Sequence, residues 1–202
     1  DLIELSNNPG DWDRHFIQTA DIIFNADETQ VDWDNSGSPG PEKGFSPIGN
    51  SSPGFTGSYD GSDEDGDYKI ENLYINRDED YIGLFGYTSE ATIENVQLTD
   101  VDIAGKWYVG GLVGNNEEYG TVDSCSSTGR VYGSYDQVGG LVGHNGDGTV
   151  RDSTSSASVT GTDQVGGLVG WNGLGTVSDS TSSGDVEGSG NSVGGLVGYN
   201  WG

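Results

Sequence analysis

The stretch Val109-Gly110-Gly111-Leu112-Val113-Gly114 decides the fold of this chain, because the chain repeats it. The same six residue types return at 138–143, 165–170 and 193–198, and a degenerate copy, Tyr-Ile-Gly-Leu-Phe-Gly, occupies 81–86. The leucines of successive copies lie 28, 29, 27 and 28 residues apart. Self-similarity at a nearly constant period of this length is typical of proteins built from stacked structural repeats.

Each repeat carries two further short phrases. One is Ile or Val, any residue, then Asn, Asp or Ser, at 70–72, 93–95, 122–124, 150–152 and 177–179. The other is Val-x-Gly, at 131–133, 159–161 and 186–188. Gly, Asn, Asp and Ser separate these β-type runs, and no stretch of the array shows helical periodicity. We therefore predict an all-β fold, a three-sided parallel β-helix with about 28 residues per coil and an N-terminal cap.

Stacking of the coils predicts columns of equivalent residues about 4.8 Å apart. An inward leucine column would contain Leu84, Leu112, Leu141, Leu168 and Leu196, and a valine column Val131, Val159 and Val186. A third column would contain Leu73, Val96, Cys125, Ser153 and Ser180. This position favours a buried and inert Cys125, with a reactive or interchain thiol as the alternative.

Two more columns follow the Gly-rich phrase. We expect side-chain amides to hydrogen-bond from coil to coil along Asn115, Asn145, Asn172 and Asn200. The residue directly after each phrase would join an exposed stripe that suits contact with a sugar or a protein, made of Tyr87, Asn115, His144, Trp171 and Tyr199. The alternative is that these side chains only shield the turn beneath them.

The charge of the chain excludes some functions. Asp and Glu number 33 against 7 Lys and Arg, which gives a formal net charge of −26. Such a chain repels phosphate, so we expect no nucleic-acid partner. No apolar run reaches the roughly 18 residues of a membrane span. Because mobile ions relieve self-repulsion, the charge indicates a very salty setting, such as that of a halophilic archaeon, with an ordinary acidic surface protein as the alternative.

The phrase Val-Gly-Gly-Leu-Val-Gly-x-Asn, followed by Gly-Thr-Val-x-Asp-Ser, resembles the GLUG motif family of bacterial and archaeal surface proteins. The similarity extends over residues 16–202 and includes Phe-Ser-Pro-Ile-Gly at 45–49 and Phe-Thr-Gly-Ser-Tyr-Asp-Gly at 55–61. The resemblance implies a secreted, modular protein in which the array itself provides no catalysis. The heavy acidification and the insertion at 62–67 depart from the family pattern.

We expect two regions, an N-terminal cap with an excursion loop (residues 1–40) and the solenoid (residues 41–202). Residues 1–15 would form a short helix or turn over the first coil, Phe16 to Phe24 one strand, and residues 25–44 the loop. The sequence ends within a repeat at Gly202, so we expect either a longer native chain or an end that docks on another molecule.

Two weaker candidate sites lie before the array. Asp63, Asp65 and Asp67 alternate around a glycine turn like the beginning of a calcium loop, although the full ligand pattern is missing. A solvated acidic loop is the alternative, and we expect no cofactor other than this calcium. The sequon Asn50-Ser51-Ser52 makes Asn50 a candidate for glycosylation in an exported chain.

The predicted function is a non-catalytic extracellular module, structural or adhesive, that presents a rigid repetitive surface to cell-surface glycans or proteins. One alternative is a filament subunit whose copies join end to end, since such contacts do not close. Another is a polysaccharide-cleaving β-helix enzyme. Against the enzyme, His15 and His144 are far apart in the chain, and in the array only Arg130 and Arg151 are basic neighbours.

Overall fold

The computed structural model describes residues 2–24, 43–63 and 66–202, and this part of the chain is a parallel β-solenoid with coils of about 28 residues. The repeat of the Gly-rich phrase sets the coil, since Val109 pairs with Val138, Val138 with Val165, and Val165 with Val193. The predicted all-β fold class is confirmed. Most of the excursion loop predicted over 25–44 lies outside the described residues.

A short cap covers the N-terminal end of the solenoid. It consists of the α-helix α1 (Leu2–Asn7) and a single 3-10 turn (Pro9–Asp11). Leu2, Leu5 and Trp12 are buried, and the indole Nε1 of Trp12 donates to the Leu5 carbonyl at 2.8 Å. The carbonyl of Trp12 accepts hydrogen bonds from the backbone of Thr56 and Gly57, which fastens the cap to the first coil.

The segment from Phe16 to Phe24 forms two strands, so the prediction of one strand is wrong. β1 (His15–Ile17) pairs with Ser58–Asp60, whereas β2 (Ile22–Ile23) pairs with Ile70 and Glu71 on a different sheet. Buried Gln18 turns the chain between them, because its Nε2 donates to the carbonyls of Ala20 and Lys69 at 2.9 and 3.1 Å.

The coils follow one another in chain order. The first contains β3 (Ser58–Asp60), the hairpin strands β4 (Ser62–Asp63) and β5 (Gly66–Asp67), β6 (Lys69–Glu71), β7 (Tyr74–Asn76) and β8 (Phe85–Ser89). The second contains β9 (Thr92–Glu94), β10 (Gln97–Gly105), β11 (Val109–Gly110) and β12 (Val113–Glu117). The third contains β13 (Thr121–Asp123), β14 (Ser126–Gly133), β15 (Val138–Gly139) and β16 (Val142–Asn145). The fourth contains β17 (Thr149–Arg151), β18 (Thr154–Ser155), β19 (Ser158–Gly161), β20 (Val165–Gly166) and β21 (Val169–Asn172). The last contains β22 (Thr176–Ser178), β23 (Thr181–Ser182), β24 (Val186–Gly188), β25 (Val193–Gly194) and β26 (Val197–Asn200).

Over the described residues, the parallel strands form four sheets along the solenoid axis. The first sheet has the order β1-β3-β9-β13-β17-β22, and the second has β2-β6-β10-β14-β18-β23, with β7, β19 and β24 attached. The third is β11-β15-β20-β25 and the fourth β8-β12-β16-β21-β26. All three predicted phrases are therefore β-structure, and the Gly-rich phrase supplies two short strands because the chain bends at its Gly-Leu step.

Columns of equivalent residues fill the interior. Leu84, Leu112, Leu141 and Leu168 are fully buried, whereas Leu196 in the last coil is 38% exposed. The valine column has the predicted register, since Val131 pairs with Val159 and Val159 with Val186. In the third predicted column, the amide of Cys125 donates to Ser153 Oγ at 3.1 Å. A small hydroxyl can therefore replace an apolar side chain there without leaving its oxygen unpaired.

A column of left-handed residues turns the chain between the first and second sheets. Its members are Asn95, Ser124, Asp152 and Asp179, with φ between 47° and 57°. The sequence pattern wrongly placed Asn72 and Leu73 with them, because these residues lie within the second sheet, between β6 and β7. Asn and Asp adopt this conformation more readily than most residues. This explains why the second phrase of the repeat ends in Asn, Asp or Ser.

Candidate functional site

The fourth sheet carries the predicted stripe in a single column. Tyr87 pairs with Asn115, Asn115 with His144, His144 with Trp171, and Trp171 with Tyr199. Each of these residues directly precedes Thr88 or an asparagine on the inner face of the sheet, so alternation along the strand places its side chain on the opposite, outer face. The stripe therefore exists as a surface feature, and its contact with a ligand stays a prediction.

Tyr81 and Tyr108 widen this stripe, and the sequence analysis missed them. They precede the valine or isoleucine that begins the third sheet, and both have left-handed backbones, with φ of 61° and 56°. Their rings stack at 4.9 Å with an interplanar angle of 9°. The signal was present in the sequence, because Tyr81 begins the degenerate copy of the Gly-rich phrase and Tyr108 stands directly before the next copy.

Ring contacts link the two columns into one surface, which Tyr199 extends as the strand partner of Trp171. We call this surface the aromatic strip: Tyr81, Tyr87, Tyr108, His144, Trp171, Tyr199 and Trp201. Tyr81 meets Tyr87 edge to face at 5.7 Å, and Tyr108 meets His144 in the same way at 5.4 Å. His144 stacks on Trp171 at 4.2 Å and 3°, and Trp171 contacts Trp201 at 6.2 Å. Stacked rings cover each other's faces, so the middle of the strip presents mainly ring edges.

His144 is a neutral member of the strip. Burial lowers the pKa of its imidazole to about 4, so the ring is uncharged at neutral pH. Its Nδ1 lies 2.6 Å from Asn115 Oδ1, an oxygen that can only accept, which makes Nδ1–H the donor. Glu117 Oε1 lies 3.4 Å from the same nitrogen. The imidazole is thus held in place by Asn115 and Trp171.

Carboxylates surround the strip. Burial raises the pKa of Glu117, and the charges of Asp147 and Glu118 act in the same direction, although a hydrogen bond from Asn115 opposes them. Burial also raises the pKa of Tyr87, to which the charges of Glu117, Glu118 and Asp147 add. Burial is also the main cause of the raised pKa of Tyr108, and the charges of Asp80 and Glu117 raise this pKa further. The strip therefore lies in a negative potential.

An amide ladder runs inside the fourth sheet, and it corrects one residue of the prediction. Asn116, not Asn115, belongs to this ladder, because Asn116 pairs with Asn145 in the sheet whereas Asn115 pairs with His144. From Thr88 Oγ1, hydrogen bonds of 2.9, 2.9, 2.7 and 2.7 Å connect Thr88, Asn116, Asn145, Asn172 and Asn200. Asn116 lies four residues after Leu112, as Asn145 lies four residues after Leu141, whereas the neighbouring Asn115 points to the opposite face of the strand.

Cys125 lies in the core, 1% exposed. Burial raises the pKa of its thiol to about 12, so the thiolate is scarce at neutral pH. The sulfur lies 3.1 Å from the Asp123 carbonyl. This is the environment of an inert structural cysteine, as the column position predicts.

The calcium and glycan candidates stay predictions. Asp67 is exposed at the end of the β4–β5 hairpin, but Asp65 and the side chain of Asp63 lie outside the described residues. Among the residues that are described, no group of three or more His, Cys, Asp or Glu side chains could hold a metal ion. Asn50 is exposed, and its Oδ1 accepts a hydrogen bond from the Ser52 amide at 2.9 Å.

The two arginines of the array are engaged in ion pairs with the preceding coil. Arg130 binds Asp102 through Nε and Nη2 at 2.9 to 3.1 Å, and Arg151 pairs with Asp123. Their charges are thus compensated locally and do not line a groove for a polyanion.

A cavity of about 330 Å³ under the cap is lined mostly by apolar side chains, among them Leu2, Phe16 and Ile22.

Comparison with known proteins identifies the repeat. Residues 105–132, 134–160 and 161–187 match the model of the GLUG motif. The chain is 37% identical over 139 residues to Halomucin of Haloquadratum walsbyi, a match that covers 66% of this chain and 1% of Halomucin. It is 39% identical over 88 residues to a Gly-rich membrane protein of Evansella cellulosilytica, covering 41% of this chain and 10% of that protein. No solved structure matches the chain.

The chain therefore spans only a small part of the curated relatives it matches. Within the described residues, no helix is long and apolar enough to cross a membrane. The three matched segments follow one another without a long gap and run from the end of β10 into β24. This part of the solenoid is thus an array of GLUG motif repeats.

Proposed function

We propose that this chain is a non-catalytic module of a cell-surface protein, in which the solenoid is a rigid scaffold and the aromatic strip contacts glycans. The observation that carries the proposal is the continuity of the strip over successive coils of one outer edge. Aromatic rings with polar tips suit surfaces that bind sugars or proteins. A repetitive surface also allows several weak contacts to act together.

The rigidity of the scaffold supports this role. The interior columns are buried, and the amide ladder hydrogen-bonds each coil to the next inside the fourth sheet. Parallel pairing extends through all of the array coils on four sheets in the described part of the chain. A scaffold of this kind holds the rings of the strip at a fixed spacing, so binding requires little ordering of the protein.

The relatives support an extracellular position. One relative bears the name Halomucin and the other is described as a membrane protein, and the net charge of −26 suits a chain that is exposed to concentrated salt. We extend the position at the cell surface and the salty setting to this chain as part of the proposal.

The filament alternative predicts fibres of the isolated chain in electron micrographs, and the enzyme alternative predicts release of reducing sugars.

A glycan array tests the proposal. The wild-type chain should bind one class of glycan, and Trp171→Ala should reduce the signal at least about fivefold, since stacking contacts of aromatic residues contribute about 1 kcal/mol or more. Tyr132→Ala is the matched control, because Tyr132 is 45% exposed but lies on the second sheet. Circular dichroism should show that both variants fold.

Three results would contradict the proposal: no glycan binding by the wild type, equal losses in the two variants, or reducing ends released from a bound glycan.

A further inference from the structure

The polar groups around the aromatic strip all favour one kind of ligand. In the middle of the strip the faces of His144 and Trp171 cover each other, at 4.2 Å between ring centres. Ring edges bind many sugars with little discrimination, so selectivity depends on the groups beside the rings. The nearest ionised side chains are those whose charges act on Tyr87 and Tyr108, namely Asp80, Glu117, Glu118 and Asp147.

Glu117 is the carboxylate built most firmly into this surface. It ends β12, its side chain accepts a hydrogen bond from Asn115, and Oε1 lies 3.4 Å from His144 Nδ1. Its side chain is 27% exposed. It rests on Gly146, where a Cβ atom would collide with its carboxyl group. The carboxylate of Glu117 therefore occupies the space that any side chain at position 146 would need.

Lysine and arginine side chains do not neutralise these carboxylates. Lys106 and Arg77 precede the strip, but Lys106 Nζ lies 3.3 Å from Asp78 and Arg77 Nη1 lies 3.9 Å from Glu79. The ring of His144 is uncharged at neutral pH. Among the described residues, the charges that act on Tyr87 and Tyr108 are thus carboxylates and tyrosines.

Glutamines replace Tyr81 and Tyr108 in the next two coils. Gln137 and Gln164 occupy the positions that Tyr81 and Tyr108 hold in earlier coils, directly before the third sheet. Their Oε1 atoms are buried and have no hydrogen-bond partner among the described residues. The backbone of Gln137 lies against Gly170, and that of Gln164 lies against Gly198, so this column continues beside Trp171 and Tyr199 without adding a positive charge.

We infer that the aromatic strip selects glycans that carry free amines, with Glu117 as the counter-ion, over neutral glycans and against uronic or sulfated ones. This inference rests on the proposed glycan-binding function and names the class of glycan. An ammonium group beside Glu117 gains charge–charge attraction, whereas a carboxylate or sulfate there is repelled by Glu117 and by the nearby charges of Glu118 and Asp147. A neutral sugar gains only the ring contacts.

Binding of three matched tetrasaccharides tests the inference. The probes are oligomers of glucosamine, N-acetylglucosamine and galacturonate, measured by calorimetry against the folded chain at about 0.1 M salt, where the screening length is about 10 Å. We expect the amine to bind best and the uronate to bind least. Glu117→Gln should weaken amine binding about three- to fivefold and leave binding of the N-acetylated probe unchanged.

Glu94→Gln is the matched control for attraction to the whole acidic chain. Glu94 lies on the first sheet between Asp60 and Asp123, away from the strip, and its substitution removes the same charge. It should leave amine binding unchanged. Equal losses in Glu94→Gln and Glu117→Gln would overturn the inference in favour of unspecific attraction.

Two further outcomes separate the inference from the proposed function. If the amine and N-acetyl probes bind equally and Trp171→Ala weakens both, the inference fails while the proposed glycan contact stands. If no tetrasaccharide binds, the proposed function fails too. Tetralysine serves as a fourth probe, and binding of it that equals the amine glycan and depends on Glu117 would overturn the inference in favour of a basic protein partner.

Discussion

At the scale of single residues, the asparagine ladder shows how a polar side chain stabilises the interior of a narrow solenoid. Asn145 is fully buried, and its Nδ2 donates to Asn172 Oδ1 at 2.7 Å and to the Gly148 carbonyl at 3.1 Å. Its Oδ1 accepts from Asn116 at 2.9 Å. The side chain thus joins three coils, and its amide hydrogen bonds replace the apolar contacts that larger cores make.

We predict that Asn145→Ala lowers the free energy of unfolding by about 2–3 kcal/mol, because it leaves Asn172 Oδ1 without its donor and Asn116 with one acceptor fewer. The control is Asn200→Ala at the exposed end of the same ladder, where water can replace the lost bond and the cost should stay below about 1 kcal/mol. Denaturant unfolding followed by circular dichroism measures both. Equal costs would contradict the buried ladder.

The buried thiol of Cys125 makes the stability of the fold depend on pH. Its thiol has a pKa raised to about 12 by burial, whereas the unfolded chain has the ordinary value near 9. The folded state therefore holds a proton that the unfolded state releases, and stability falls as pH rises from about 9 toward 12.

We predict that Cys125 reacts with a thiol reagent at pH 8 only after unfolding, because the folded thiol is 1% exposed. Cys125→Ser should be tolerated at a cost of about 1 kcal/mol, since the next two coils already place Ser153 and Ser180 in this column. The variant should also lose stability less steeply above pH 9. Rapid labelling of the folded chain would show that the thiol is accessible.

At the scale of the elements, the bend inside the Gly-rich phrase controls how closely the coils approach. A Cβ atom on Gly140 would collide with the Gly167 carbonyl and with Ser155 Oγ, both in the next coil. The equivalent glycine of the last coil, Gly195, meets nothing within 4 Å. The bend thus needs glycine where another coil follows it.

We predict that Gly140→Ala destabilises the solenoid by about 2–3 kcal/mol, because the backbone of the neighbouring coil must move to admit the methyl group. Gly195→Ala should change stability by less than about 0.5 kcal/mol. The two substitutions are chemically identical and differ only in the coil above them. Thermal unfolding midpoints measure the difference, and a tolerated Gly140→Ala would mean that coils are spaced more loosely than the structure shows.

At the scale of the whole molecule, the chain carries a formal net charge of −26. Parallel stacking places some like charges side by side, as where Asp60, Glu94 and Asp123 are successive partners on the first sheet. Arg130 and Arg151 relieve this repulsion only at the coils in which they occur. The solenoid therefore concentrates repulsion that an extended chain would dilute.

We predict that the unfolding temperature rises as potassium chloride increases from about 0.1 M to about 1 M, since the screening length falls from about 10 Å to about 3 Å. Glu94→Gln should raise the unfolding temperature at low salt and have little effect at about 1 M. Circular dichroism across the salt series measures both. An unfolding temperature that is independent of salt would show that repulsion between the carboxylates does not destabilise the solenoid.

The sequence by itself determined the coil of this protein. A hexapeptide that returns every 27 to 29 residues places one leucine in each coil, and stacking buries those leucines because a single coil cannot bury its apolar side alone. The buried position of Cys125 and the alignment of Tyr87 with Trp171 follow from the same period.

Only the tertiary structure decided which residues meet around each corner. It assigned Asn116 to the ladder and Asn115 to the strip, since side chains alternate along a strand and a shift of one residue reverses the face. It divided Phe16–Phe24 between two sheets through Gln18, and it brought Tyr108 against His144, 36 positions later in the chain. Such contacts depend on how each corner bends in space, which the local pattern of residues does not specify.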